Sequence, residues 1–377
     1  MAKNNDKKSV NSLFINPFAE MNDPRRTDRG NHIYPLEEIL LLVISAVISG
    51  ANGWTSIELF GKAKLVWLQQ FLPYENGIPS HDVLGKLFAR LNAKEFSKCF
   101  TSWVESIADL TKDEVVAIDG KTIRNSNDDT CSKSAIHLVS AYASENRICL
   151  GQEAVREKSN EITAIPKLLD ILTIKGCTVT IDAMGCQKKI AEKIISKDAN
   201  YILMVKDNQK NLRIQIEDSF KTHNIKTTDI ETDFGHGRIE TRTCDIIDNL
   251  SLLNKRKDWE GIKSIVRITS ERIIKKTKKE SKEYRYYITS LKADAAKINK
   301  AIRSHWSVEN NLHWNLDVIF KEDASLKKKG DSPTNFNIIT KIALMLIERE
   351  KSTKMSKNSK RLKAALDDKY RTKILKS

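Results

Sequence analysis

Residues 114–205 alternate between short β-branched runs and amphipathic helical segments, and this pattern most constrains the fold. In chain order it predicts strands at 114–118, 135–143 and 147–154, a helix at 161–172, a strand at 177–181, a helix at 187–197 and a strand at 201–205. Consecutive strand-like runs favour an antiparallel meander. Strands that alternate with helices imply βαβ crossovers, so the centre of the predicted sheet is parallel.

The order of these elements, β-β-β-α-β-α-β, is that of a ribonuclease-H-like core, which predicts an α/β fold. Alternation with charged turns returns over about residues 222–291 and predicts a β-rich insertion. Residues 293–320 contain no Gly or Pro and predict one long helix, and 335–347 predict a further apolar helix. We therefore place a ribonuclease-H-like catalytic domain at residues 111–347.

The flanking regions differ from this core in composition. Residues 1–30 form a polar leader, and 31–110 form a small all-helical domain. Helical periodicity covers residues 36–49, 56–72 and 82–108, and the domain could either bind DNA or serve as a structural bundle. Residues 348–377 hold 11 Lys or Arg against 4 Asp or Glu, which predicts a basic C-terminal tail that acts as an arm.

The net charge of the chain indicates which partners it is suited to bind. Among 377 residues, 64 are Lys or Arg and 49 are Asp or Glu, a net charge of +15 that favours a polyanion such as nucleic acid. The alternative is a solvated lysine-rich surface. Six scattered cysteines without a CxxC pair favour reduced thiols and no zinc module.

Membrane and secretory signals are not apparent in the sequence. The longest apolar run, residues 39–51, is shorter than the roughly 20 residues that span a bilayer. Since the first residues also lack a secretory signal, we expect a cytoplasmic, nucleoid-associated protein without a membrane partner. The DGKT at residues 119–122 lacks the glycine that a phosphate loop needs at position 115, so no nucleotide cofactor is expected.

Two aspartates follow strand-like runs, where Asp is normally depleted. Asp119 ends VVAID and Asp182 ends TVTID, and each precedes a glycine-containing turn. If the two strands are parallel neighbours, both carboxylates emerge at one edge, where a divalent cation would relieve their repulsion. The alternative is that both residues only end strands and cap turns.

A third carboxylate should come from the helix predicted at 293–320. Glu309 is favoured, because His305, Glu309 and His313 share one helical face. A zinc site at the two histidines is a weaker alternative, since two ligands fall short of the usual set. The rival carboxylates are Asp317, Glu322 and Asp323, of which the last two are expected to be solvated.

Several ordered motifs identify a resemblance that runs from about residue 23 into the C-terminal tail. They are IPSHD (78–82), VVAIDGKTIR (115–124), VTIDAMGCQ (179–187), VKDNQK (205–210), HGRIETR (236–242), YYITSL (286–291) and HWSVENNLHWNLDVIFKEDAS (305–325). Together they resemble the H-repeat-associated proteins, which are ISAs-type insertion-sequence transposases of the DDE class. The resemblance implies a metal-binding triad at Asp119, Asp182 and Glu309.

The resemblance also implies Mg²⁺, with Mn²⁺ possible, double-stranded DNA as the substrate and a homo-oligomer on DNA. Related transposases often carry a Tyr-Arg-Glu-Lys signature around the glutamate. This chain departs from it with His305 and Leu316 at the Arg and Lys positions. Which basic residues replace that signature therefore stays open.

The residues expected to contact DNA are mostly basic, and for each of them the alternative is a solvated surface charge. They are Lys121, Arg124, Lys206, His236, Arg238, Arg242, Arg303, His305 and Trp306. Trp306 and Trp314 could stack on a base, although a place in the core is the favoured interpretation. Alternative functions are an inactive or domesticated DNA-binding relative and a nuclease that only hydrolyses.

Overall fold

The computed structural model describes residues 16–19, 21–25, 32–108, 110, 112–127, 134–155, 161–235 and 237–377. Its first helices are α1 (Leu36–Ile48), α2 (Trp54–Leu68), α3 (His81–Arg90) and α4 (Ala93–Ile107). The prediction of one helix over 82–108 is wrong. The chain leaves the helix at Leu91 because the Asn92 side chain accepts the amides of Lys94 and Glu95 and so starts α4.

Only part of the predicted polar leader lies within the described residues. Phe18 and Met21 are buried there, and the Phe18 ring lies 5.7 Å from the Phe96 ring of α4. This part of the leader therefore belongs to the helical core.

The described strands form one nine-stranded sheet. They are β1 (Val115–Thr122), β2 (His137–Ala143), β3 (Ile148–Val155), β4 (Thr178–Ile181), β5 (Asn200–Val205), β6 (Thr227–Gly235), β7 (Arg238–Ile247), β8 (Ser264–Ile274) and β9 (Glu280–Thr289). The spatial order is β3-β2-β1-β4-β5-β9-β8-β7-β6. Strands β1, β4 and β5 are parallel, and the other neighbouring pairs are antiparallel. The mixed α/β class predicted from the sequence is confirmed.

Helices α5 (Glu161–Ile171) and α6 (Lys188–Ser196) connect the central strands, and α7 (Lys210–Thr222) leads from β5 to β6. Helices α5 and α6 lie in the crossovers that the strand–helix alternation predicts. The predicted β-rich insertion corresponds to β6–β9, which extends the central sheet because β9 pairs with β5. The long β7, β8 and β9 therefore project a surface beyond the carboxyl ends of the central strands.

The helix predicted at 293–320 is broken. It consists of α8 (Ala295–His305), a π-helical segment (Val308–His313) and α9 (Trp314–Val318). The Trp314 amide donates to the carbonyl of Glu309, five residues earlier. Such π segments are rare and occur often at functional sites, so the break coincides with the carboxylate that the sequence singles out.

The last helices complete the core beneath the sheet. Helix α10 (Ser332–Arg349) is buried along most of its length and packs against α1, α3 and α4. Helices α11 (Lys357–Leu366) and α12 (Asp368–Leu375) follow it. The prediction of a basic arm is wrong, because Ala364, Ile374 and Leu375 anchor this segment in the core. In the part of the chain that the structure describes, no helix has both the length and the apolar composition for crossing a bilayer.

Candidate active site

Strand register brings two aspartates to one edge of the sheet. Parallel strands β1 and β4 pair Ile118 with Ile181, and the next residue on each is Asp119 or Asp182. Asp182 also caps a short turn, since its Oδ1 accepts the amide of Met184 at 3.1 Å. Both side chains line one cavity of about 370 Å³. The expected juxtaposition of the two carboxylates is thus present in the structure.

The third carboxylate reaches the same cavity from the π-helical segment. Glu309 lines the cavity with Asp119 and Asp182, and 57% of its side chain is exposed. Its neighbour Val308 is buried and fixes the segment against the sheet. The fold therefore assembles one acidic pocket from three distant parts of the chain.

One imidazole links two of these carboxylates. Nδ1 of His313 lies 3.2 Å from Oε2 of Glu309 and 3.5 Å from Oδ2 of Asp119. One ligand atom from each of the three side chains lies within 4.8 Å of the others. Asp182 lies outside this closest group. The sequence placed His313 on the face of Glu309 but did not predict its contact with Asp119, for which the i, i+4 spacing was the only signal.

Burial and pairing act differently on the pocket's ionisable groups. Burial raises the pKa of Asp119, and this effect outweighs the opposing charges of His313 and His305. The hydrogen bond with His313 lowers the pKa of Glu309. Burial lowers the pKa of His305, against the pull of Asp119 and Asp182. Nδ1 of His305 pairs with Oγ1 of Thr180 at 3.0 Å.

The donor set fits a hard divalent cation. Asp119 and Asp182 supply carboxylate oxygens at one sheet edge, and Glu309 supplies a third from an exposed position. Oxygen ligands of this kind are those that Mg²⁺ and Mn²⁺ prefer. Burial, which raises the pKa of Asp119, disfavours its charged form, and a bound cation would stabilise that form.

The mouth of the cavity combines cations with aromatic surface. Lys206, Arg285 and Trp306 line it, and the Arg285 guanidinium lies 5.9 Å from the centre of the Trp306 ring. Trp306 is 48% exposed and Trp314 is 55% exposed, so the interpretation of both as core residues is wrong. Because helix α8 ends at His305, Trp306 turns toward the cavity mouth instead of the core.

An arginine-lined groove of about 540 Å³ adjoins this mouth and shares Arg285 and Trp306 with the first cavity. Its cations, hereafter the groove arginines, are Arg238, Arg242, Arg272, Arg285 and Arg303. Four of them lie on one face of β7, β8 and β9, and the fifth lies on α8. Asp233 and Glu240 line the same groove and pair with some of the guanidinium groups.

Two of the groove arginines were not predicted. Arg272 and Arg285 belong to the groove because the register pairs Glu240 with Arg272, and Ile268 with Arg285. Within each strand, the sequence shows which residues share a face, because side chains alternate between the two faces. Which residues of neighbouring strands share a face depends on the register, and the sequence did not provide it.

Lys121 has partners within the protein. Its Nζ lies 2.7 Å from Oε2 of Glu322 and also pairs with Asp317. The Lys121 side chain is 13% exposed, and that of Glu322 is 5% exposed. The expectation that Glu322 is solvated is wrong, because it also accepts from Asn337. These contacts do not favour Lys121 as a phosphate ligand.

The remaining predicted DNA contacts are dispersed. Arg124 has an 83% exposed side chain near Asp323, away from the residues that line the two cavities. Lys206 and His305 line the first cavity, and Arg238, Arg242 and Arg303 line the groove. His236 lies outside the described residues. The fold thus brings together most, but not all, of the predicted contacts.

Comparison with known families places the chain in a class. The profile described as Transposase DDE domain matches residues 110–346, and one described as DDE_Tnp_1-associated matches residues 15–104. The chain belongs to the DDE transposase family, and its function is that of a DNA transposase.

Two relatives match the chain over nearly its whole length. The chain is 40% identical over 362 residues to the H repeat-associated putative transposase YhhI of Escherichia coli K12, covering 94% of this chain and 95% of that protein. It is 41% identical over 376 residues to the putative transposase YncI of Escherichia coli O157:H7, covering 98% and 95%. A short match, 48% over 58 residues, covers 15% of this chain and 69% of the inactive transposase YbfQ of Escherichia coli K12.

Proposed function

We propose that this transposase cuts DNA at the ends of an insertion sequence and joins those ends to target DNA, with Asp119, Asp182 and Glu309 as its catalytic metal ligands. The observation that carries the proposal is that these three carboxylates line one cavity. The metal is Mg²⁺, and Mn²⁺ can replace it. The inner strands, with β1 antiparallel to β2 and parallel to β4, support a ribonuclease-H-like core.

The carboxylates serve to hold and orient the reacting groups. When bound, two divalent cations lower the pKa of the attacking hydroxyl and stabilise charge on the leaving oxygen. Asp119 and Asp182 hold their positions because consecutive backbone pairs fix β1 against β4. In the first step a water oxygen bonds to phosphorus, and the bond to the 3′ oxygen breaks. In the second, the oxygen of the freed 3′-hydroxyl bonds to a target phosphorus and loses its proton, while the target's bond to its own 3′ oxygen breaks and that oxygen leaves as a hydroxyl.

The cavity mouth and the groove position the DNA. The groove arginines and Lys206 contact phosphates, where charge-assisted bonds fix the backbone without reading sequence. The half-exposed Trp306 stacks on a base at the frayed end, next to Arg285. His305 stands in place of the usual arginine of the signature, with its imidazole held by Thr180. The backbone contacts therefore come mainly from the strands of the insertion.

Two further features belong to this proposal. Each reaction joins two ends of one element, so the active complex contains at least two copies of the chain on DNA. The reaction takes place on chromosomal DNA, at the nucleoid of the cytoplasm. The basic net charge of +15 supports binding to this polyanion.

The test is a cleavage and joining assay on labelled DNA that carries the chromosomal segments flanking the gene. With Mg²⁺, the full-length protein should release a 3′-hydroxyl end and join a pre-cut end to a plasmid. Asp119→Asn, Asp182→Asn and Glu309→Gln should each reduce cleavage at least about a thousandfold, because each removes a ligand that stabilises charge in the transition state. DNA binding should change little.

Asp198→Asn is the matched control, since Asp198 is 71% exposed and pairs with Lys175 outside the cavity. Cleavage that survives Asp119→Asn would refute the triad. Cleavage without joined products would identify a nuclease that only hydrolyses. Binding without cleavage by the wild-type protein would identify an inactive relative, the state named for one of the matched proteins.

A further inference from the structure

A buried imidazole contacts two of the carboxylates that line the cavity. His313 follows Glu309 by four residues on the π-helical segment, and 4% of its side chain is exposed. Its Nδ1 faces Oε2 of Glu309 at 3.2 Å and Oδ2 of Asp119 at 3.5 Å. The three groups thus surround one point from three sides at distances suited to a shared cation.

The geometry points to His313 as a direct ligand, through Nδ1, of a divalent cation shared with Asp119 and Glu309. This inference rests on the proposed function, because it assigns a further ligand to the same cavity. Two carboxylate oxygens within 4.8 Å of each other repel, and a cation between them and the imidazole removes that repulsion. Asp182, outside this closest group, faces the same cavity as a ligand for the second ion.

The other nitrogen of the ring allows this role. Among the described residues, Nε2 of His313 is buried and has no hydrogen-bond partner. In many metal sites a second hydrogen bond fixes which nitrogen carries the proton. Here no such bond fixes the proton on Nε2, whereas Nδ1 bonds with the Glu309 carboxylate. Nδ1 can therefore donate to Glu309 when the cation is absent and present its lone pair when the cation binds.

A second imidazole near the same carboxylates provides a comparison. His305 lines the same cavity, but its Nδ1 pairs with Oγ1 of Thr180 at 3.0 Å. It does not belong to the group whose ligand atoms lie within 4.8 Å of one another. The two histidines therefore differ in one property that can be measured, which is direct bonding to the ion.

An imidazole ligand changes the metal preference of an acidic site. Carboxylates and water suit Mg²⁺ and Mn²⁺ alike, whereas imidazole nitrogen binds transition metals better than Mg²⁺. We expect the wild-type protein to bind Mn²⁺ more tightly than Mg²⁺. His313→Gln should weaken Mn²⁺ binding at least about tenfold and Mg²⁺ binding less than about threefold.

The experiment is pulsed electron paramagnetic resonance of Mn²⁺ bound to the full-length protein, with calorimetric titration of both metals. A nitrogen coupling should appear in the wild-type spectrum and change when the histidines carry ¹⁵N. It should persist in His305→Gln and disappear in His313→Gln. The isotope measurement needs no variant, so it stands even if His313→Gln fails to fold.

The outcomes distinguish failure of the His313 ligand from failure of the proposed metal site. If Asp119→Asn removes the cavity-bound Mn²⁺ but the wild-type spectrum shows no nitrogen coupling, the His313 ligand is wrong and the carboxylate site stands. The same holds if the coupling persists in a folded His313→Gln protein. If Asp119→Asn leaves Mn²⁺ binding unchanged, the cation does not occupy the cavity, and both the proposed function and this inference fail.

Discussion

The insertion and the C-terminal segment are both rich in arginine, yet their arginines have different surroundings. The side chains of Arg238, Arg272 and Arg303 are 43–49% exposed and line an open groove. In the C-terminal segment, Arg361 is 5% exposed and Arg371 is 0% exposed. The first group is available to a polyanion, and the second is enclosed by protein.

The buried arginines bind backbone carbonyls and aromatic rings. Arg361 donates to the carbonyls of Val47 and Ile319, and its guanidinium lies 4.5 Å from the Phe320 ring. Arg371 donates to the carbonyl of Ala364 and lies 3.9 Å from the Trp67 ring. These cations join the last helices to the core. Local net charge therefore does not distinguish a DNA-binding surface from a structural segment, whereas side-chain exposure does.

The largest expected effect is the loss of stability on replacing Arg361, and it tests whether the C-terminal segment is structural. Arg361→Met should lower the free energy of unfolding by about 4 kcal/mol, because two buried carbonyls lose their donor. Thermal unfolding and DNA binding by the folded fraction measure the two sides of the comparison. A variant of unchanged stability that bound DNA weakly would show that the C-terminal segment is a DNA-binding arm after all.

Replacing the groove arginines should have the opposite effect, with weaker DNA binding and little change in stability. The triple variant Arg238→Gln, Arg272→Gln and Arg303→Gln should weaken DNA binding about 100-fold and make the slope of log affinity against log salt less steep by about three. Its melting temperature should change by only a few degrees, because these side chains are half exposed. Fluorescence anisotropy across a salt series measures the slope. An unchanged slope would remove the groove from the DNA path.

Lys121 and Lys206 differ in the same way, because Lys121 is paired within the protein and Lys206 is exposed. Lys121→Met should destabilise the protein by about 3 kcal/mol, since it leaves the buried Glu322 carboxylate without its cation. Lys206→Met is the matched control, because exposed Lys206 lines the cavity mouth. It should impair DNA cleavage without lowering stability. If Lys121→Met kept full stability and lost only DNA affinity, Lys121 would be a phosphate contact.

The smallest expected effect is that of replacing Glu350, a buried carboxylate of the C-terminal segment. Burial raises the pKa of Glu350, but hydrogen bonds from Ser352, Tyr370 and Thr353 lower it to about 2. A folded-state pKa below the ordinary 4.5 adds stability that is present above pH 4.5 and is lost as the pH falls toward 2.

Glu350→Gln should therefore lower stability by about 2 kcal/mol at pH 7. The difference from wild type should shrink between pH 4.5 and 2. Urea unfolding at several pH values measures it. A difference that does not depend on pH would show that the charge of Glu350 is not involved.

The sequence predicted most of what local patterns determine. The runs VVAID and TVTID predicted both strands, since strand propensity and alternation are local. The prediction that each aspartate ends its strand is confirmed for Asp182 but wrong for Asp119, because pairing with β2 continues β1 to Thr122. The parallel arrangement of the central strands followed from the alternation of strands and helices. Proximity of Asp119 and Asp182 then required only equivalent positions on parallel neighbours, since each follows a residue of the pair Ile118 and Ile181.

Long-range contacts account for what the sequence did not predict. The composition of the C-terminal segment predicted an arm, because carbonyl partners such as that of Val47 lie more than 300 residues away. The π-helical segment was not predicted either, since periodicity barely separates it from an α-helix over six residues. Likewise, the contact between His313 and Asp119 depends on how that segment packs against β1.

The most direct test of the central claim is anomalous diffraction from crystals of the full-length protein grown with Mn²⁺. The account predicts anomalous peaks in contact with carboxylate oxygens of Asp119, Asp182 and Glu309, and their loss in Asp119→Asn crystals. Peaks that lie elsewhere on the molecule, with the cavity free of Mn²⁺ in the wild-type protein, would contradict it.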